Sequence, residues 1–224
     1  MEINAAAMWL NTTMADFDQS VTLAVHKLYD VAGGFFTPFF EFVSFLGLYG
    51  IILILLSACL ILRRSTRRFG TAMLIGLAVG ALLTNCVFKI AIARPRPFSD
   101  ESSIYYELWK LVGMNLEVDG SFPSGHTTAA FAASTAVYLV GDKRISWTAL
   151  LFGFLMAVAR IYLVVHFPSD VLGGIIVGVF SGIVGTIIAS KLGPKYYRFD
   201  FFKKRKAVAA AAGAGNGDQA CSED

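Results

Sequence analysis

The sequence of 224 residues is short of charge, of histidine and of cysteine. Charged residues make up 16%, against about 25% in soluble domains. Apolar residues make up 56%, more than the interior of a soluble domain of this length can hide. The same figure excludes a disordered chain. Three cysteines, Cys59, Cys86 and Cys221, are too few for a disulfide framework. Three histidines in all, with no Cys/His/Asp/Glu set at ligand spacing, provide no metal site and call for no cofactor. A net charge of +3 is too small to argue for nucleic acid as a partner. What these shortages leave is a chain that uses lipid as the solvent for much of its exterior.

The apolar runs bear this out. A bilayer core takes about 20 residues of helix. Runs of that length cover 42–62, 69–88, 120–141, 145–165 and 171–190, broken only by His126 and Arg160. They predict an all-α polytopic bundle with about five transmembrane helices, at 42–62, 69–88, 124–141, 145–165 and 171–190. Residues 1–206 then form one membrane-embedded domain, and the Ala- and Gly-rich stretch 207–224 reads as a disordered tail. Gly174, Gly178 and Gly182 recur every fourth residue, a spacing that suits close helix contact. Phe17, Val21, Ala24, Val25, Leu28 and Val31 share one face, which predicts an N-terminal amphipathic helix over 16–31, lying in the interface or on the bundle. No basic region precedes an apolar run there, so no cleaved signal peptide is expected.

Most of the 19 Lys and Arg residues fall in the loop 63–68, in the loop 142–144 and after the fifth span. That bias places those segments and the C-terminus in the cytoplasm. The N-terminus and the loop 93–122 then lie on the extracytoplasmic side. The small size and basic tail suit a bacterial inner membrane.

Ionisable groups at membrane depth are costly, and here they cluster at the outer ends of the spans. Lys89, Arg94 and Arg96 lie within eight residues, and Pro95 and Pro97 draw that stretch out of the helix. Three cations on the side opposite the stop-transfer charges call for an anion. Pro123-Ser124-Gly125-His126 precedes an apolar helix. Free N–H groups, the Ser124 hydroxyl and a glycine that admits close approach make an anion cradle there. Arg160 lies inside an apolar span and calls for an anionic partner. His166 is followed four residues later by Asp170, a carboxylate that can hold one imidazole tautomer. Together, Lys89, Arg96, Arg160, Ser124 and Gly125 make a site for a compact, multiply charged oxyanion. The two histidines provide a nucleophile and an acid. The reaction class is metal-free hydrolysis of a phosphomonoester or diphosphate through a phosphohistidine.

These three stretches resemble the signature of the type 2 phosphatidic acid phosphatase family, within the haloperoxidase-like superfamily. Lys89, Arg96 and Pro97 match its first motif, and Pro123 to His126 its second. Arg160, His166 and Asp170 match its third, with Ala159 standing where the family has serine. The resemblance implies that His166 is the nucleophile, Asp170 its orienting partner and His126 the acid that protonates the leaving oxygen. It assigns Lys89, Arg96, Arg160, Ser124 and Gly125 to phosphate binding. Arg94 has no place in the motif and reads as a head-group or loop contact. The implied substrates are lipid phosphates: undecaprenyl diphosphate, phosphatidylglycerol phosphate or phosphatidic acid. The loop 98–122, with Asp100, Glu101, Glu107, Glu117 and Asp119 and the interfacial aromatics Tyr105, Tyr106 and Trp109, is placed to cap the site. Two alternatives remain at this stage. One is a lipid phosphotransferase on the same scaffold; the other is a phosphate or phospholipid transporter, which has no need of two histidines and an aspartate.

Overall fold

A computed structural model describes residues 4–192. The expected tail 207–224, Cys221 and the basic residues after Leu192 lie outside the described residues. The described chain is all α-helical. In order, the helices are α1 (Ala5–Thr13), α2 (Ala15–Ala32), α3 (Thr37–Leu46), α4 (Ile51–Leu62), α5 (Arg67–Ala81), α6 (Lys89–Ile92), α7 (Ile104–Leu111), α8 (Gly125–Val140), α9 (Lys143–Ser146), α10 (Thr148–Tyr162) and α11 (Pro168–Ser190). Three stretches are long and apolar enough to cross a bilayer: Arg67–Ser99, Lys143–Tyr162 and Pro168–Ser190. α3 and α4, bent by 52° at a short break, qualify as a fourth when taken together. The protein is an integral membrane helix bundle.

The helix expected over 124–141 is shorter than a span. α8 has 16 residues, about 24 Å at 1.5 Å per residue. It is the inner helix of the bundle, flanked by α5, α10 and α11. Its Thr127, Thr128, Ala130, Ala132, Ala133, Ser134, Thr135 and Ala136 are buried, which is why small residues dominate it. The glycine seam of α11 is the other half of this contact. A β-carbon on Gly174, Gly178 or Gly182 would come within 2.8, 2.7 and 2.7 Å of the carbonyl oxygens of Ser124, Thr128 and Ala132. The every-fourth-residue glycines therefore lie along an every-fourth-residue row of carbonyls, and the two backbones touch.

Three expected spans are interrupted, each for a local reason. The stretch 42–62 turns at Gly47–Gly50, where Gly50 has φ +69° and Gly47 lies against Met156. The stretch 69–88 runs on to Ile92, but through a π-helical segment at Leu82–Phe88. Such segments widen a helix and recur at functional sites. The stretch 145–165 ends early, at Tyr162. Beyond it Val164 has φ +53°, a conformation that β-branched residues rarely adopt.

α2 packs against α10 and α11. Asp18, Thr22 and His26, one helical turn apart, are buried on its inner side. Val21, Val25 and Leu28 are half-buried beside them, while Phe17 and Val31 face outward. The loop 98–122 is itself folded. Trp109 is buried, stacks on Phe98 at 4.6 Å between ring centroids and donates its Nε1–H to the Asn115 carbonyl. It is thus a packing anchor of the loop rather than an interfacial residue.

Candidate active site

Six elements deliver the site residues to one end of the bundle. α6 carries Lys89. The extended segment after it, set off by Ala93 in the left-handed region (φ +47°), carries Arg94 and Arg96. The first turn of α8 carries Gly125 and His126. The last turn of α10 carries Arg160. The turn after α10 holds His166, and the first turn of α11 holds Asp170. Among the described residues, three non-glycine residues have positive φ, and Ala93, Met114 and Val164 sit on the segments that carry Arg94 and Arg96, the acidic loop and His166. Such conformations cost about 1–3 kcal/mol each and persist where surrounding structure enforces them.

The sequence reading brings Lys89, Arg96, Arg160, His126 and His166 together, and so does the fold. It adds a residue that the sequence reading had assigned only to the acidic loop. The Glu117 carboxylate sits at the centre of the group. It pairs with Arg160 and, at 2.6 Å, with Arg96. It lies 4.0 Å from His126 Nδ1 and 3.9 Å from His166 Nε2. Asp119 pairs with Lys89 and Arg96. Burial alone would raise both carboxyl pKa values. For Glu117 the attraction of Arg160 and Arg96 outweighs it, and for Asp119 that of Lys89 and Arg96. Both are pulled down to about 2. Arg160 also donates to the Ser44 hydroxyl. Its buried Nε has no partner among the described residues.

His166 is almost fully buried. Arg96 Nη1 donates to the Val165 carbonyl at 2.8 Å and lies 3.1 Å from His166 Nε2. A guanidinium only donates, so Nε2 accepts and the ring proton sits on Nδ1. Burial, reinforced by Arg96 and Arg160, holds the pKa of His166 well below its ordinary value. The imidazole is therefore neutral, with a free electron pair turned toward the cations. Asp170 Oδ2 is 3.8 Å from His166 Nδ1, longer than a hydrogen bond. Ser121 lies beside this gap. Its hydroxyl donates to Asp170 and stands 3.5 Å from Nδ1. Ser121 carried no signal of its own in the sequence beyond its place just before the Pro-Ser-Gly-His stretch.

Ser124 and Gly125 are placed at the start of α8 as expected, with different surroundings. The Ser124 hydroxyl is buried and accepts from Thr127, so it caps the helix. Gly125 and His126 line a cavity of about 220 Å³ with Lys89, Glu117 and Asp119, walled by Ile54, Leu77 and Ala81. A second cavity of about 370 Å³ reaches Glu117, His126 and Arg160 from the side of Phe45, Leu48 and Leu163. Both have a charged floor and an apolar wall, the shape needed for an anionic head on a hydrocarbon tail.

Arg94 is the clear correction to the sequence reading. It is not a head-group contact. It is 1% exposed and pairs with Asp170 and with Asp18.

A membrane bundle that gathers three cations and two histidines at one end defines a class, and comparison supports it. The family model of the PAP2 superfamily matches residues 68–194, more than half of the chain, and the chain belongs to that superfamily. The Undecaprenyl-diphosphatase BcrC of Bacillus subtilis (strain 168) is 33% identical over 106 residues, 47% of this chain and 51% of that protein. The chain thus spans about half the length of the curated relatives it matches. Two crystal structures are similar. The first transmembrane PAP2 type phosphatidylglycerolphosphate phosphatase from Bacillus subtilis has a TM-score of 0.64 and 25% identity, over 84% of this chain and 92% of that one. Aquifex aeolicus LpxE has a TM-score of 0.58 and 26% identity, over 75% and 93%.

Proposed function

We propose that the protein is a lipid phosphatase that removes phosphate from a lipid phosphomonoester or diphosphate through a phosphohistidine, without a metal ion. The observation that carries this reading is the seat of Glu117. An anionic carboxylate rests against Arg96 and Arg160, within 4.0 Å of both histidines. A phosphoryl group is a larger anion with the same demand for charge-assisted hydrogen bonds. With Glu117 withdrawn, Lys89, Arg96 and Arg160 receive its oxygens, with Gly125 and Ser124 at the helix start.

His166 Nε2 attacks phosphorus in line with the leaving oxygen. His126 gives that oxygen a proton. The three cations take up the charge of the transferring group. Water, deprotonated by His126, then attacks the phosphohistidine, and orthophosphate leaves. Asp170, reaching His166 partly by way of Ser121, stabilises the cationic ring.

The substrate is a lipid that keeps its tail in the leaflet while its head enters the site. Undecaprenyl diphosphate, phosphatidylglycerol phosphate and phosphatidic acid are the candidates. The activities for which BcrC and the Bacillus subtilis phosphatidylglycerolphosphate phosphatase are named support the first two. The excess of Lys and Arg in the loops 63–68 and 142–144 supports a site on the extracytoplasmic face of a bacterial inner membrane.

The test is phosphate release by purified protein in detergent with EDTA, on those three lipids and a soluble phosphomonoester. Release from a lipid that is lost in His166→Ala supports the reading. Loss in EDTA restored by magnesium would overturn the metal-free step. Phosphate recovered on an acceptor lipid would make the enzyme a transferase. A cysteine at Tyr105 that reacts only from the cytoplasm would reverse the orientation.

A further inference from the structure

The side of His166 away from the cations is also charged, and of its members only Asp170 has been given a role so far. Asp18 on α2, Arg94 after α6 and Asp170 on α11 come from three distant parts of the chain, and each is 1% exposed or less. Arg94 Nη2 donates to Asp18 Oδ2 at 2.8 Å, and Nη1 donates to Asp170 Oδ1 at 2.6 Å. Its Nε donates to Asn11 Oδ1 at 2.8 Å, and its guanidinium lies over the Phe167 ring, 4.0 Å from the centroid. Asp18 accepts from the Ser169 amide at 2.7 Å and from the Ser169 hydroxyl at 2.8 Å. The Ser169 hydroxyl also accepts from Arg94 Nη1 at 2.7 Å.

From this geometry we infer that Asp18 and Arg94 are positioning residues for His166, acting through Asp170. Arg94 occupies Oδ1 of Asp170. The Phe167 amide, at 2.9 Å, and the Ser121 hydroxyl engage Oδ2. The carboxylate is thereby fixed in one rotamer, with Oδ2 turned to His166 Nδ1. Asp18 does two things. It anchors Ser169, the residue before Asp170. It also gives Arg94 a second carboxylate, so the guanidinium does not cancel the charge of Asp170 alone. Two carboxylates and one guanidinium leave one negative charge behind the imidazole. That charge favours the Nδ1–H tautomer and stabilises the ring once Nε2 carries phosphate, where charge matters most in a buried site. The N-terminal helices, which lie before the stretch matched by the family, thus supply part of the machinery.

This role rests on His166 being the nucleophile, but its test need not. Nitrogen-15 NMR of histidine-labelled protein reads the tautomer directly, and the chain has only 3 histidines. The wild type is expected to show His166 protonated on Nδ1. Asp18→Asn and Arg94→Lys are expected to shift it toward a mixture of tautomers, while Asp18→Glu retains the wild-type signature. With undecaprenyl diphosphate as the probe substrate, the two disruptive variants should lose about 10–100-fold in kcat, as outer-shell partners do, with KM little changed. Thr22→Leu is the control, because Thr22 is buried on the same face of α2 but its hydroxyl has no hydrogen-bond partner among the described residues. An unchanged His166 tautomer in Asp18→Asn, or an equal change in Thr22→Leu, would overturn the inference. A wild type without turnover would overturn the proposed function and leave the tautomer result to judge this one.

Discussion

His166 stands between two ion-pair clusters built from the same groups, and the two differ in depth. In front, Glu117 and Asp119 meet Lys89, Arg96 and Arg160, and the two acidic side chains are 21% and 46% exposed. Behind, Asp18 and Asp170 meet Arg94, and no member is more than 2% exposed. The front carboxylates belong to a loop that water reaches, so another anion can displace them at modest cost. The rear carboxylates are sealed, and separating them from Arg94 would strand a charge in an apolar interior. Identical chemistry thus serves exchange on one side and permanence on the other. Depth decides which.

The largest effect is expected where the clusters meet. His166→Ala should lower turnover by about 10⁴-fold or more and leave the thermal unfolding temperature near that of the wild type. Retained activity would remove His166 from the chemistry. Next comes the rear cluster. Arg94→Ala leaves Asp18 and Asp170 facing each other unpaired, a loss of about 3–5 kcal/mol, read as a large fall in unfolding temperature in detergent. A small fall would mean that the rear cluster is not sealed. The front cluster should respond in the opposite sense. Glu117→Gln weakens the resident anion, and inhibition by orthophosphate should tighten about tenfold, or 1.4 kcal/mol. Weaker inhibition would make Glu117 part of the phosphate site rather than its occupant.

The smallest effect is in acid. Glu117 and Asp119 have folded-state pKa values of about 2, below their ordinary 4.5 and 3.8. The unfolded chain therefore binds more protons in that window, and stability rises with pH across it. The contribution is complete above the ordinary values and is lost as pH falls toward about 2. The Glu117→Gln, Asp119→Asn double variant should show a flatter unfolding temperature between about pH 5 and about pH 3. An equal slope in wild type and variant would place the acid sensitivity elsewhere.

The front cations were legible in the sequence because each breaks a rule of the membrane interior. Arg160 in an apolar run and His166 four residues before Asp170 need no structure to be noticed. The helices were legible for the same reason, as long apolar runs. Glu117 and Asp119 were not, since an acidic residue in a polar loop is what any loop contains. Asp18 was hidden by its own helix, where it counted as part of the polar face. Only the fold shows that this face turns inward at Asp18, Thr22 and His26. Arg94 fell outside a spacing pattern and so lost its claim to attention. The break at Gly47–Gly50 was visible as two glycines, but an unbroken apolar run outweighed them. The π-helical segment leaves no comparable trace in hydrophobic periodicity.

The shortness of α8 has a consequence for the lipid around the protein. A helix of about 24 Å is roughly 6 Å shorter than a hydrocarbon core of about 30 Å. Were the exposed Lys143 and Arg144 at its far end to mark one boundary of such a core, an untilted α8 would bring its first turn, with Gly125 and His126, about 6 Å short of the other. On the proposed function, a lipid head would then sink to that turn, or the bilayer would thin around it. Membrane thickness becomes a variable of the reaction, and vesicles of graded acyl length offer a way to tune it without changing a residue.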